Sequence, residues 1–183
     1  MPLKTQSTYK LLFSFVFITQ CMCAFGQTNW VKKDLGNNIY ANFPTSPTYK
    51  LVNKAGTYSS KTDSCIFIAI IQYDVIPNYP EFVKLPADNQ KKLIEILLDN
   101  TINGMFIQSA NEGTPFQKIS VGKYSGRQAS FSAINPITGN NTTKYVKLFY
   151  ALAKIYAFQC FAIKDNVTCI AEKNSFFKSI SAN

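Results

Sequence analysis

The residues with most chemical potential are Cys160 and Cys169, which flank the turn signal Lys164-Asp165-Asn166 in KIYAFQCFAIKDNVTCIAEKNSFFKSI. Such a pair can form a disulfide, supply half of a metal site, or pack as two small apolar groups. A structural metal site takes about four ligands. Past the N-terminal region the chain offers three cysteines (Cys65, Cys160, Cys169) and no histidine, a thin set. For a bridge, Cys160 falls on a strand and Cys169 in the first turn of a helix. A helix is about 10 Å across and stands off a sheet accordingly, whereas bridged Cα atoms lie roughly 4.4–6.8 Å apart. The expectation is therefore apolar packing with free thiols. Cys160–Cys169 and a cross-strand Cys65–Cys160 bridge are the competing alternatives.

The absence of histidine removes Ser-His and Cys-His activation of a nucleophile, together with the commonest metal ligand. Ten carboxylates remain: Asp34, Asp63, Asp74, Glu81, Asp88, Glu95, Asp99, Glu112, Asp165 and Glu172. Asp165 and Glu172 are near enough in sequence to meet, but no spacing singles out a general acid and base. Glycine-rich phosphate loops, nucleophile elbows, zinc-protease helices and calcium loops are all missing. Catalytic, cofactor-binding and metal residues are therefore all assigned as none. The excess of 19 Lys and Arg over 10 Asp and Glu is dispersed, and Arg127 is the single arginine. Nucleic-acid readers lean on arginine and on clusters, so no nucleic-acid partner is expected.

The first residues, MPLKTQSTYKLLFSFVFITQCMCAFGQ, place Lys4 and Lys10 before an apolar run over Leu11 to Ile18 and then Ala24-Phe25-Gly26. That is the layout of a secretory signal, with an apolar run too short to span a bilayer. Residues 1–26 are read as the signal peptide and 27–183 as one exported domain, periplasmic or secreted, with no transmembrane span. A lipoprotein reading through Cys21 competes, but Gln20 is bulky where a lipid-attachment box wants a small residue. Outside the cytoplasm, thiols can oxidise.

These residues must be positioned by strands and two helices. Ile39, Ala41 and Phe43 alternate before Pro44, a short strand, and Tyr49 to Val52 is a further one. Tyr58 to Val75 centres on the apolar CIFIAII, read as a central strand buried on both faces. Pro86 to Met105 is a helix capped by Asp88 or Asn89. Its stripe is Ile94, Leu98, Ile102 and Met105, widened by Leu93 and Leu97, with Glu95 and Asp99 on the opposite side. Lys118 to Tyr124 and Arg127 to Ile134 are strands divided at Ser125-Gly126. NPITGNN is a hairpin loop, and Thr143 to Ile163 breaks near Leu152-Ala153-Lys154 into two strands. Val167 to Ile180 is a terminal helix. The predicted fold is α+β: an antiparallel sheet of about six strands packed against a long central helix and a C-terminal helix.

This order, with FPTSP at 43–47, ISVGKYSGRQASF at 119–131, KIYAFQCFA at 154–162 and SFFKSI at 175–180, resembles the PsbP-like superfamily. That fold is shared by the photosystem extrinsic protein and the Ran-binding nuclear-import factor. The resemblance implies a PsbP-like sandwich over the whole of 27–183 and no common catalytic residue; as a glycine, Gly126 can take a positive φ in the turn expected between two strands. The functional expectation is an exported, non-catalytic, monomeric domain that binds a protein or cell-envelope partner. The alternatives are a carrier of a small apolar or aromatic ligand between sheet and helix, and a hydrolase built on carboxylates.

Overall fold

The computed structural model describes residues 30–107, 116–164 and 166–182. The expected leader over 1–26 with Cys21, the loop 111–115 with Glu112, and Asp165 lie outside them. Strands β1 (Val31–Asp34), β2 (Ile39–Phe43), β3 (Thr48–Val52), β4 (Ala55–Lys61) and β5 (Cys65–Gln72) come first. The short α1 (Tyr79–Phe82) and the long α2 (Ala87–Ile107) follow. A meander of β6 (Gln117–Val121), β7 (Tyr124–Ile134), β8 (Asn141–Ala151) and β9 (Lys154–Ala162) leads to α3 (Val167–Ser179) and β10 (Ser181–Ala182). Seven strands make one antiparallel sheet in the order β3-β4-β5-β9-β8-β7-β6, and β1-β2-β10 make a second, smaller one.

The mixed α+β class agrees with the sequence, but the strand count does not. Tyr58 to Val75 is not one strand. Thr62 Oγ1 accepts from the backbone N–H of Ser64 at 3.2 Å and of Cys65 at 3.0 Å, folding the run into the β4–β5 hairpin. Serine and threonine hydroxyls compete in this way with ladder bonds, which hydropathy alone does not register. The division at Ser125-Gly126 is also corrected. The turn lies at Gly122-Lys123, where Gly122 takes φ +57, while Gly126 is inside β7 opposite Phe149. A Cβ on Gly126 would strike the Leu148 carbonyl oxygen, so this glycine serves close backbone approach rather than a turn. The expected break at Leu152-Ala153 is where β8 turns into β9, with both residues at positive φ (51 and 63).

Each face of the large sheet carries its own core. On one, Leu98 and Ile102 of α2 pack onto Phe131, Val146, Leu148, Tyr150, Ile155 and Ala157. Leu97 and Met105 flank this stripe, whereas Leu93 is exposed. α2 begins at Ala87, so Asp88 lies in its first turn rather than at the cap, where its charge still faces the free N–H groups. On the other face the core is aromatic. Phe176 of α3 sits 5.1 Å from Phe67, 5.4 Å from Phe43 and 6.1 Å from Phe158, ring centre to ring centre. β2 lays Ile39, Ala41 and Phe43 onto that face, and all three are fully buried. Strand β9, covered on both sides, is buried from Ile155 to Ala162.

Candidate functional site

The three cysteines are arranged otherwise than expected. Cys65, first residue of β5, is bridged to Cys169 with 5.7 Å between Cα atoms, and Cys160 is the free, buried thiol. Only a short connection separates β9 from α3, and Asn166 caps the helix by accepting from the Cys169 N–H at 2.9 Å. The first turn therefore starts at the sheet's end, inside disulfide range, although the rest of the helix stands off. The offset estimated from helix diameter misleads at this one place. Burial pushes the Cys160 thiol up to about 12, with Lys173 pulling weakly the other way.

Where α2 crosses β7, Arg127 shares strand parity with Ala129 and Phe131 and points into the helix-side core, 1% exposed. Its Nη2 donates to Glu95 Oε2 at 2.8 Å, its Nε to Asp99 Oδ1 at 2.5 Å and its Nη1 to the Gly126 carbonyl at 2.9 Å. Lys118 Nζ also reaches Glu95 Oε2, at 3.1 Å. Glu95 and Asp99, one helical turn apart, thus face the sheet instead of lying on the far side as the charge pattern suggested. Burial alone would raise the Glu95 carboxyl, but the hydrogen bonds from Arg127 and Lys118 outweigh it and hold it below its usual value. With a further bond from Nη2 to the Glu95 carbonyl oxygen at 3.4 Å, four of the five guanidinium N–H groups are engaged, and the two counter-charges tie helix to sheet.

Four further carboxylates have partners. Asp34 accepts from the Gly36 N–H at 2.7 Å, Asp74 pairs with Lys54 at 3.3 Å, and Glu81 pairs with Lys84 at 2.7 Å. Glu172 accepts from Thr62 Oγ1 at 2.8 Å. The suggested meeting of Asp165 with Glu172 lies outside the described residues. Among the described residues no group of three or more Cys, Asp or Glu is placed to hold a metal ion.

On the aromatic face, β1, β2 and α3 leave the outer part of β7 and β8 uncovered, and a groove of about 370 Å³ opens there. Its floor is Gln128 and Ser130 of β7 beside Tyr145 and Lys147 of β8, and its wall is Lys173 and Phe177 of α3. The β7–β8 register pairs Gln128 with Lys147 and Ser130 with Tyr145, so all four side chains share one face. Lys173 and Phe177 are one helical turn apart. Lys147 Nζ donates to the Phe177 carbonyl oxygen at 3.2 Å and lies 5.6 Å from the Phe177 ring centre. Lys173 Nζ lies 4.3 Å over the Tyr145 ring. Burial lowers the Lys147 pKa, and among the described residues no carboxylate lines the groove. The motif search overlooked this site because its residues come from three separate elements. The readable signal was strand parity: Tyr145 and Lys147 alternate on the face opposite Val146 and Leu148.

A second surface lies at the sheet's edge. All five residues of β3 are exposed, with Tyr49 at 50%, Leu51 at 62% and Val52 at 57%. β4 is its one neighbour in the sheet order, so the outer edge of β3 carries no strand among the described residues. By contrast, the space between sheet and α2, where the carrier alternative would place a ligand, is filled by the aliphatic cluster around Leu98 and Ile102. No described helix is long and apolar enough to cross a membrane. No family model matches the chain, and no curated protein matches it.

Proposed function

We propose that the chain is an exported, non-catalytic domain of the PsbP-like kind that engages a protein partner of the cell envelope or its surroundings. The partner adds a strand to the free edge of β3. The observation that carries this reading is the edge itself: backbone groups with no strand partner among the described residues, flanked by exposed Tyr49, Leu51 and Val52. Long apolar edges template pairing with another chain, and soluble proteins usually blunt them with charge or cover them. β3 places one lysine, Lys50, among those side chains. Two further observations agree. The signal-like start fits export, and a Cys65–Cys169 bridge is the kind of bond that persists in an oxidising compartment. The missing histidine, and the tying of Glu95 and Asp99 to Arg127, support a binding role over a hydrolytic one.

Affinity capture from envelope extract with the mature protein and with a Leu51→Lys/Val52→Glu variant tests this. A partner retained by the wild type and lost by the variant is expected. Capture of the same set of proteins by both would sink the strand-addition reading.

A further inference from the structure

We infer that the groove between β7, β8 and α3 is a binding site for an acidic saccharide, a sugar chain bearing carboxylates. This goes beyond the partner edge and does not depend on it, since β3 and the β7–β8 strands lie on opposite sides of the sheet order.

Three observations carry it. The first is charge. Lys147 and Lys173 both reach the groove, and no carboxylate among the described residues lines it. Elsewhere in the fold, the cation at Arg127 was given two acidic partners. A half-buried ammonium with only a carbonyl and an aromatic ring for company gains most from an incoming anion. The second is the kind of polar group beside the lysines. Gln117, Gln128, Asn174 and Ser130 carry amides and a hydroxyl that donate and accept together. Gln128 Nε2 already donates to Gln117 Oε1 at 2.8 Å, and the groups left over both donate and accept, as sugar hydroxyls do. A bare phosphate or sulfate calls for donors alone: arginine forks, backbone N–H groups or a helix N-terminus. None of these is offered here, and the nearby end of α3 is its C-terminal one. The third is preorganisation and size. Each ammonium is already held over an aromatic ring, at 5.6 Å for Lys147 and 4.3 Å for Lys173, so little side-chain freedom is lost on binding. At about 370 Å³ the groove is roomier than one anion needs and falls in the range of small-ligand sites, roughly 300–1,000 Å³.

Calorimetric titration of the mature protein with trigalacturonate, its fully methyl-esterified form and acetate tests the inference. Trigalacturonate is expected to bind, with the ester and acetate each at least about tenfold weaker. Lys147→Met and Lys173→Met keep the apolar stems and are each expected to weaken trigalacturonate by about tenfold to a hundredfold, the range of one charged hydrogen bond. Lys91→Met, on the exposed side of α2, and Leu51→Lys/Val52→Glu, at the partner edge, are expected to leave binding unchanged. The inference is overturned if trigalacturonate does not bind, or if acetate binds as tightly. Equal binding of the ester, or equal weakening by Lys91→Met, also overturns it, the latter because any lysine surface would then serve. The ester comparison uses wild-type protein alone and so stands even if a lysine variant folds poorly.

Discussion

The two faces of the large sheet are closed by different means. On the α2 face the packing is mostly aliphatic, and its one fully buried cation among the described residues, Arg127, is neutralised by Glu95 and Asp99 from the helix that covers it, while the half-buried Lys144 lies over the Phe131 and Phe161 rings. On the α3 face the packing is aromatic around Phe176, a disulfide fixes the start of the helix, and the lysines at the far end face an open groove. A buried charge is costly unless paired. Arg127 therefore shows what this chain does when a fully buried cation is needed for structure, and the second face shows half-buried lysines for which no such provision was made. The difference separates a clamp from a site.

The largest effect that would break this contrast comes from the clamp. Glu95→Ala with Asp99→Ala strands the Arg127 guanidinium, and a loss of about 3–5 kcal/mol is expected in urea unfolding. A loss under about 1 kcal/mol would mean that Arg127 finds water and that the clamp is decorative. On the opposite face, Cys65→Ala with Cys169→Ala removes a cross-link spanning 104 residues and is expected to cost about 2–4 kcal/mol. Thiol titration of residues 27–183, unfolded and unreduced, should find the single thiol of Cys160, and three would deny the bridge.

A smaller effect is set by pH. The Glu95 carboxyl is held below its ordinary 4.5, so its contribution is complete above that pH and disappears as pH falls through the lower, folded-state value. Acid titration of stability should therefore be shallower below about pH 4.5 for Glu95→Gln than for the wild type, and parallel curves would refute the assignment. Smallest of all, Lys147→Met and Lys173→Met should change stability by no more than about 0.5 kcal/mol. A larger loss would make these lysines structural, as Arg127 is, and erase the contrast.

Much of the architecture was legible in the residues. Alternation at Ile39, Ala41 and Phe43, the Leu98–Ile102 stripe, the NPITGNN loop and the Leu152-Ala153 break all lie where periodicity and turn chemistry put them. What escaped had long-range causes. Glu95 and Asp99 look like solvated positions until Arg127, 32 residues beyond Glu95, is seen to share the inward parity of Ala129 and Phe131. The bridge escaped because it depends on how close one helix starts to one strand end. The groove escaped because it is defined by where β1, β2 and α3 stop covering the sheet, which no local pattern encodes.

Cys160 has a consequence of its own. At neutral pH a thiol pushed up to about 12 is ionised to only on the order of one part in 10⁵, and the thiolate is the nucleophile. Iodoacetamide should therefore ignore the resting molecule and record only the moments when α3 lifts from β9. The chain carries its own stopwatch for the opening of its last helix, one that needs no engineered label.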